Sequence, residues 1–354
     1  MKRDKYHESF LKRVETKIQE GKAILSVFQD TKISKKLEVF YNPVMKFNRD
    51  MSVAVLNALP NTQMQVADIM AASGVRSIRF LKELKKNKIA SITMNDCSKK
   101  AVQYIKKNLK KNNLQKDKRI IVTNKEANLL LLESKGFDYI DIDPFGTPIP
   151  FLDAACKRIS RDGILAVTAT DTSALAGAFP AACRRKYSAI PLHGPIMHEI
   201  GLRILIMKCQ SIAAQYDKAL LPVFSYSRDH YMRVFFHCLK GKSKADDIVK
   251  QHSMYGAAGP IWLGQLWDAA LLKNMKSDDK FFHIIQEEAV IKTIGFYDIH
   301  AICKKYHFMI PKYDLLMDAI RKKGYAVSRT HFAETGLRST IPETELLQII
   351  KSLL

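Results

Sequence analysis

The sequence is poor in several features that would place it in familiar classes of protein. No apolar run in its 354 residues approaches the roughly 18–20 residues that a membrane-spanning helix needs. The basic N-terminus, MKRDKYHESFLKRVETKIQEGK, has no apolar stretch of the kind that a secretory signal peptide requires. We therefore expect no membrane association and predict a cytoplasmic protein.

Cysteine is also scarce, and its spacing indicates neither a disulfide framework nor a zinc site. The six cysteines include no C-x-x-C pair, and the closest two, Cys183 and Cys209, are 26 residues apart. Their even number hints at disulfides, but a long cytosolic chain favours reduced, mostly buried thiols. We expect no bound metal, so neither folding nor activity should require zinc.

Acidic residues are few relative to basic ones. Lysine and arginine total 57 against 35 aspartates and glutamates, which gives a formal net charge of +22. Such an excess favours a polyanionic partner, although it says nothing about the fold. The composition, 47% hydrophobic and 26% charged, is typical of a globular chain. The length suggests two or three domains of about 150 residues each.

From residue 65 onward, short apolar runs alternate with segments whose apolar residues recur with the periodicity of an α-helix. The predicted elements are strands over 65–70, 91–96, 119–123, 137–143 and 163–171, a long helix over 195–217 and an antiparallel hairpin over 220–239. This alternation implies a parallel sheet covered on both faces, so the predicted class is α/β. Ahead of the sheet, the sequence predicts a charged helical stretch over 1–36, a loop over 37–50 and a short helix over 51–59.

The composition changes after Leu239, where a polar, linker-like stretch covers 241–247. The elements predicted beyond it are helices over 297–306 and 314–323 and strands over 325–330 and 337–342. Two helices followed by a two-stranded wing resemble a winged-helix module, although a plain α+β domain gives the same pattern. We predict two domains, 1–239 and 240–354, of which the second is the smaller.

Acidic residues follow several of the predicted strands, and the first turn carries a single glycine instead of a phosphate-binding loop. Asp68 ends the first strand, and Gly74 in the next turn lets the backbone approach a ligand closely. No G-x-G-x-x-G occurs, which argues against a dinucleotide site. Asp96 can accept hydrogen bonds from both ribose hydroxyls, and Glu126 beside the small Ala127 suits an adenine edge. This pattern favours S-adenosylmethionine, which has no phosphate, although a carboxylate after a strand is also a common helix N-cap.

The fourth predicted strand ends in Asp-Ile-Asp-Pro-Phe-Gly, residues 141–146. Its Asp143-Pro144-Phe145 resembles the [DN]-P-P-[FYW] signature of methyltransferases that act on exocyclic amino groups, with phenylalanine in place of the second proline. Such an amine is a poor nucleophile because its lone pair is delocalised into the ring. A carboxylate that accepts from one N–H can direct the lone pair towards the methyl donor. The alternative is an ordinary strand-end turn with a buried phenylalanine.

Further segments with a shared pattern are spread over the chain. They are VFYNPVMKFNRD (39–50), ASGVRSIRF (72–80), ND (95–96), DYIDIDPFGTP (138–148), TATDTSALAG (168–177), CRRKYSAIP (183–191), HEIGLRIL (198–205) and GPIWLGQLWD (259–268). Together they resemble the archaeal tRNA (guanine-26 N2)-dimethyltransferase family, and the resemblance covers essentially the whole chain.

The resemblance implies a class I S-adenosylmethionine-dependent methyltransferase domain of Rossmann-like fold, followed by a C-terminal tRNA-binding domain. The implied substrate is guanosine 26 of tRNA, which receives one or two methyl groups on N2. Asp143 is implied as the catalytic carboxylate, with Phe145 and Phe40 holding the target base. The implied cofactor contacts are Arg49, Arg76, Asp96, Glu126 and Ala127. Glu126 replaces the aspartate usual in the family, and the two C-x-x-C pairs of many members are missing, so no zinc site is carried over.

Basic residues close to the expected base pocket are candidates for tRNA binding. Arg184, Arg185 and Lys186 follow the fifth strand on a predicted loop, where arginine can contact phosphates.

The sequence implies no protein partner. Two other functions stay open: a methyltransferase of DNA or protein amines, and an RNA-binding protein with a degenerate methyltransferase fold. The joint presence of Asp96 and Asp143 argues against the degenerate protein.

Overall fold

The described chain begins with a β-hairpin. The computed structural model describes residues 14–29 and 39–353. β1 (Val14–Glu20) pairs antiparallel with β2 (Ala23–Gln29), and Gly21 turns the chain between them with a left-handed φ of 54°. Glycine adopts this conformation without a steric penalty, so a two-residue turn can set the register of the hairpin.

This hairpin corrects the prediction of a helical stretch over residues 1–36. Ala23, Leu25 and Val27 are fully buried, and their period of two belongs to a strand. The charged side chains of β1, which suggested an exposed helix, instead belong to a strand that is largely exposed or half-buried. The rest of the predicted helical stretch lies outside the described residues.

A seven-stranded sheet in the order β5-β4-β3-β6-β7-β9-β8 follows the hairpin. Its strands are β3 (Met64–Asp68), β4 (Ile89–Asn95), β5 (Ile120–Thr123), β6 (Phe137–Ile142), β7 (Ile159–Ala169), β8 (Lys218–Arg228) and β9 (Tyr231–Lys240). β3 to β7 run parallel, and β9 and β8 close the sheet as an antiparallel hairpin. The predicted α/β class is confirmed. The strand order reverses between β3 and β6, and such sheets bind ligands beyond the carboxyl ends of these strands.

Helices precede and connect the strands of this sheet. They are α1 (Lys46–Ala58), α2 (Val75–Glu83), α3 (Lys99–Lys111), α4 (Ala127–Glu133), α5 (Ile149–Arg158), α6 (Thr172–Leu175), α7 (Pro180–Tyr187) and α8 (Met197–Ala214). Ser98 caps α3, since its Oγ accepts from the Ala101 amide at 3.3 Å. α1 begins at Lys46 after a 3-10 turn, so the predicted loop over 37–50 is too long. No described helix combines the length and the apolar character of a membrane span.

The residues after the sheet extend its core. They form α9 (Lys242–Val249), β10 (His252–Tyr255), β11 (Ala258–Trp262), α10 (Ala269–Asn274) and α11 (Lys280–Glu288). α9 occupies the stretch that was predicted as a linker, and its Ile248 is buried in the same hydrophobic cluster as the sheet. That cluster continues along the chain as far as Ala289 and also includes Phe332.

A second hydrophobic cluster lies in residues 297–353, which we call the C-terminal module. Its elements are β12 (Tyr297–Asp298), α12 (Ile299–Tyr306), α13 (Tyr313–Lys322), β13 (Val327–Thr330), β14 (Ala333–Ser339) and α14 (Glu343–Ser352). The strands form an antiparallel sheet in the order β12-β14-β13, in agreement with the predicted α+β architecture. Apart from Phe332, which belongs to the first cluster, the hydrophobic clusters divide near residue 296. The boundary after residue 239 stays a prediction.

A buried network of charges joins the C-terminal module to the rest of the molecule. Arg338 of β14 donates to Glu199 of α8 at 2.7 Å and to Glu288 of α11 at 3.0 Å. Glu199 also accepts from Arg203 at 2.9 Å, and Glu288 pairs with His331 in the β13–β14 turn. We call these five residues the inter-module network. All five are buried, so the network fixes the C-terminal module against α8 and α11.

Candidate active site

Two carboxylates at the end of β6 differ in their surroundings. Asp141 is buried and accepts from Arg233 at 2.6 and 3.1 Å and from the Tyr139 hydroxyl at 2.5 Å. Its Oδ1 also lies 3.4 Å from Nε of Arg76. Burial by itself raises the pKa of Asp141, but Arg233 and Arg76 outweigh burial and hold that pKa below its ordinary value. Asp141 is therefore ionised and engaged on both oxygens.

Asp143, two residues further on, has one strong partner. Its Oδ2 accepts from Arg76 at 2.5 Å, while Oδ1 has no hydrogen bond within residues 14–29 and 39–353. The Asp143 side chain is 21% exposed, so a substrate can reach it. Arg76 is held in turn by Asn48 at 2.9 Å and Ser52 at 2.7 Å, both on α1. The site thus presents a fixed carboxylate with one oxygen able to accept a hydrogen bond. We call Arg76, Tyr139, Asp141, Asp143 and Arg233 the catalytic-edge network.

A third carboxylate at this edge of the sheet, Asp171 after β7, is fully engaged. Its two oxygens accept from the Tyr187 hydroxyl at 2.6 Å and from Lys186 at 2.9 Å. The Tyr187 hydroxyl also lies 3.0 Å from the Thr147 hydroxyl, which ties α7 to the loop after β6. Of these three carboxylates, Asp143 is the one that combines exposure with an unused oxygen.

Phe145 and Phe40, predicted to hold the base, lie together beside Asp143. Their ring centroids are 4.5 Å apart and the rings meet edge to face at 83°. Phe145 is 46% exposed, although a buried phenylalanine was the alternative interpretation of this turn. A base between two stacked rings needs a gap of about 7 Å. A base must therefore stack on an outer face of this pair or separate the two rings.

Three of the predicted cofactor residues lie at the carboxyl ends of β4 and β5. Asp96 accepts from the backbone amides of Ala72 and Ser98, both at 2.9 Å, so it also shapes the turn after β3. Glu126 caps α4 by accepting from the Leu129 amide at 2.9 Å. Ala127, the first residue of α4, is buried. Both carboxylates therefore cap a helix or hold a loop, the role that the sequence offered as the alternative to cofactor binding. Each of them can still accept a hydrogen bond from a ligand.

The two predicted cofactor arginines lie elsewhere. Arg76 contacts the carboxylates of the catalytic-edge network. Arg49 forms a two-point ion pair with Glu20 of β1, at 2.7 and 2.5 Å, and donates to the Asn42 carbonyl at 3.0 Å. Burial by itself raises the pKa of Glu20, but Arg49 and other partners outweigh it and bring the pKa to about 2. The cofactor role of both arginines stays a prediction.

Comparisons with known proteins give one consistent result. The model of the family "N2,N2-dimethylguanosine tRNA methyltransferase" matches residues 17–256 and 250–351. The chain belongs to this family. The tRNA (guanine(26)-N(2)/guanine(27)-N(2))-dimethyltransferase of Aquifex aeolicus is 35% identical to it over 382 residues, which cover 95% of this chain and 96% of that protein. The tRNA (guanine(26)-N(2))-dimethyltransferase of Methanosphaera stadtmanae is 37% identical, covering 94% and 96%.

A solved structure has the same fold over nearly the whole chain. This structure, Trm1 from Pyrococcus horikoshii in complex with S-adenosyl-L-methionine, superposes with a TM-score of 0.83 at 32% identity. The match covers 94% of this chain and 99% of that one. The family and the methyltransferase fold predicted from the sequence are thus confirmed.

The residues at the strand ends of this methyltransferase fit a phosphate-free, cationic cofactor. Asp96 and Glu126 supply acceptors for hydroxyl and amino groups and favour a nearby positive charge. Gly74 has a left-handed φ of 78°, and a Cβ there would lie 2.8 Å from the Met94 side chain. Only glycine fits this turn without strain, so the chain can turn sharply beside the cofactor crevice.

The three predicted tRNA contacts lie on α7, which corrects the prediction of a loop. Arg184 and Arg185 are exposed, and no ion pair forms to either of them in the described chain. Cys183 and Tyr187 are buried on the opposite face of the helix. Lys186 differs because it pairs with Asp171. Arg184 and Arg185 are therefore free to meet phosphates, while Lys186 also shapes the site.

Sequence reasoning missed the members of the site that come from distant strands and helices. Arg233 of β9 is fully buried and bonds to Asp141 and to the Thr168 hydroxyl at 2.8 Å. Asn48 and Ser52 of α1 orient Arg76. An arginine inside an apolar strand, as in YMRVFF, is a usable signal, because a buried arginine requires a buried acceptor. That signal does not identify which carboxylate is the partner.

The cysteines are distributed as the sequence suggested. Cys97 is exposed, and the other five cysteines are buried and free. Burial raises the pKa of Cys238 to about 11, so this thiol is protonated and unreactive near neutrality. Among the described residues, no group of three or more His, Cys, Asp or Glu side chains could hold a metal ion.

Proposed function

We propose that this protein transfers methyl groups from S-adenosylmethionine to the exocyclic N2 of guanosine 26 in tRNA. The observation that carries the proposal is the partly exposed Asp143, fixed by Arg76 through one oxygen and able to accept through the other. Family membership supports the reaction and the class of substrate. The net charge of +22 supports a polyanionic partner. A cytoplasmic location and one or two methyl transfers per guanosine complete the proposal.

The strand ends β3, β4 and β5 would hold the cofactor. When bound, S-adenosylmethionine supplies an electrophilic methyl group on a sulfonium centre. Asp96 would accept from the ribose hydroxyls through lone pairs that Ala72 and Ser98 leave unused. Glu126 and Ala127 would contact the adenine, with the small side chain of Ala127 leaving room for the ring.

The aromatic pair and Asp143 would act on the target base. Bringing a stacked guanine out of a stem costs a few kcal/mol. Stacking on Phe145, with Phe40 beside it, recovers about 1–3 kcal/mol. Asp143 would accept a hydrogen bond from one N2–H through Oδ1, which directs the nitrogen lone pair outward. It would take the proton as the methyl group passes from sulfur to nitrogen, which leaves a neutral thioether. Arg76 keeps the carboxylate in place throughout.

The exposed arginines of α7 would position the tRNA. Arg184 and Arg185 lie three and two residues before Tyr187, whose hydroxyl contacts Thr147 next to the Asp-Pro-Phe-Gly turn. Phosphate contacts so close to the base pocket would fix the register of the RNA without reading its sequence.

Nucleoside mass analysis tests this function. Unmodified tRNA is incubated with protein and methyl-labelled S-adenosylmethionine, and a tRNA with adenosine at position 26 serves as the control. The expected products are N2-methylguanosine and N2,N2-dimethylguanosine in the first tRNA, with no label at position 26 in the control. Label on another base, or on a DNA or protein amine but not on tRNA, would refute the proposal.

A further inference from the structure

A cleft of about 620 Å³ lies between the β8–β9 turn and the C-terminal module, apart from the carboxylates of the active site. Its lining includes Arg228 of β8, Phe281 of α11, and Arg329, Phe332 and Glu334 around the β13–β14 turn. Ligand-binding clefts have volumes of about 300–1,000 Å³, so this cleft is large enough for a nucleotide.

The sheet places this cleft on the side of β6 that faces away from the cofactor crevice. Met232 of β9 pairs with Ala169, the last residue of β7, so the β8–β9 turn extends beyond the carboxyl edge that carries Asp143. β9 is two strands from β6 in the sheet. With strands about 4.8 Å apart, the lateral separation is roughly 10 Å. RNA that delivers its base to Asp143 therefore has neighbouring nucleotides within reach of the cleft.

The chemistry of the cleft suits a nucleotide. The Arg329 guanidinium lies 4.6 Å from the centre of the Tyr313 ring, and no ion pair or hydrogen bond to it occurs in the described chain. Arg228 lies over Phe47 at 4.1 Å and over Phe281 at 4.8 Å, and it also forms long ion pairs with Asp279 at 3.4 Å and Asp229 at 3.7 Å. Arginine held on aromatic rings can meet a phosphate with little loss of side-chain freedom.

The acidic residues of the cleft narrow the class of ligand. Asp229 and Glu334 also belong to the lining, and both are exposed. Four charges of mixed sign disfavour a free polyanion such as a triphosphate. They suit a nucleotide with one phosphodiester, because carboxylates can accept from base amino groups while arginine contacts the phosphate.

We propose that this cleft binds a nucleotide of the tRNA next to the target guanosine. Arg329 and Arg228 contact its phosphate, and the half-buried Phe281 contacts its base. The inference rests on the proposed function, because it requires tRNA as the substrate.

Equilibrium binding of tRNA at several salt concentrations tests the cleft. Arg329→Ala should weaken binding roughly 10-fold, because it removes a hydrogen bond to a charged group. It should also reduce the log–log salt slope by about 0.7–0.9, the contribution of one phosphate. Ala333→Trp, which fills the cleft without a change of charge, should weaken binding as well. Arg161→Ala removes an equal charge from the start of β7, at the opposite edge of the sheet, and serves as the matched control.

The outcomes separate the cleft from the reaction. Unchanged affinity for S-adenosylmethionine shows that each variant is folded. Wild-type tRNA affinity in both cleft variants, as expected if the cleft holds a peptide or a small metabolite, would overturn the inference. So would an equal loss in Arg329→Ala and Arg161→Ala, because the effect would then be one of net charge. A wild-type protein that binds tRNA but methylates none of it would refute the proposed function instead.

Discussion

The molecule contains two buried arginine–carboxylate networks. They differ in whether every carboxylate oxygen has a hydrogen-bond partner. The inter-module network is closed, because every carboxylate oxygen of Glu199 and Glu288 accepts at least one hydrogen bond. The catalytic-edge network is equally buried at Asp141 and Arg233. It ends, however, at Asp143, whose Oδ1 has no partner in the described chain.

This difference separates two uses of the same interaction. A closed network satisfies all of its own charges, so its effect is confined to fixing two parts of the fold. An open network orients one remaining carboxylate and leaves one of its oxygens able to accept a further hydrogen bond. Asp68, which ends β3 next to the catalytic-edge network, is buried. Burial raises the pKa of Asp68 to about 7, although Arg76 acts in the opposite direction, so this carboxyl group adds less negative charge to the network. Loss of a closed-network charge should therefore reduce stability, whereas loss of Asp143 should reduce the rate of the reaction.

The largest effect is expected in the inter-module network. Arg338→Ala should lower the free energy of unfolding by about 3–5 kcal/mol, because Glu199 and Glu288 lose a shared cation inside the protein. Urea unfolding measures the change. Arg321→Ala is the control, since Arg321 forms an exposed pair with Asp318 and should cost less than about 1 kcal/mol. Equal losses in the two variants would contradict the structural role of the inter-module network.

Asp143→Ala should act on the reaction and not on the fold. Turnover should fall about 100-fold or more, the range for a positioned general base. The affinities for tRNA and S-adenosylmethionine should stay nearly intact, because the carboxylate acts on the reacting centre. Steady-state kinetics and equilibrium binding measure the two effects. Asp153→Ala, which removes an exposed carboxylate of α5, should leave turnover unchanged.

Asp96→Ala should weaken the binding of S-adenosylmethionine by about 1.5–3 kcal/mol, or roughly 10- to 150-fold. Binding of tRNA should change little. Calorimetry measures the cofactor affinity, and thermal unfolding monitors the turn that Asp96 holds through Ala72 and Ser98. A loss of stability with unchanged cofactor affinity would assign Asp96 to that turn alone.

Phe145→Ala should weaken productive tRNA binding and lower turnover together, by about 1–3 kcal/mol, because one stacked base is lost. Phe145→Leu, which keeps apolar bulk but removes the ring, should have a similar effect if stacking is the cause. Single-turnover rates at several tRNA concentrations separate binding from chemistry. Full activity of the leucine variant would show that bulk alone suffices.

The sequence predicted those parts of the molecule in which the relevant signal is local. Short buried runs separated by helical periods identify β3 to β9 within a few residues, and Asp-Pro-Phe-Gly marks the end of β6. The residues that carry the proposed chemistry therefore stand out in the amino-acid pattern by itself.

The parts that sequence reasoning missed depend on contacts between distant residues. The strand β1 carries charged residues that are typical of an exposed helix, and only packing against the rest of the domain selects the hairpin. α9 is polar, and its few buried side chains become evident when the core beyond β9 is known. The partnership of Arg233 with Asp141 joins positions 92 apart, and no local pattern specifies it.

The most direct test of this division of roles is the single-turnover rate of Asp143→Asn at saturating tRNA and S-adenosylmethionine. Asparagine keeps the shape of the side chain and one acceptor oxygen but removes the charge that receives the proton. We predict a rate at least about 100-fold below the wild-type rate, with an unchanged free energy of unfolding. A folded variant that methylates guanosine at close to the wild-type rate would contradict the assignment of Asp143 and would direct attention to Asp141 or Asp171.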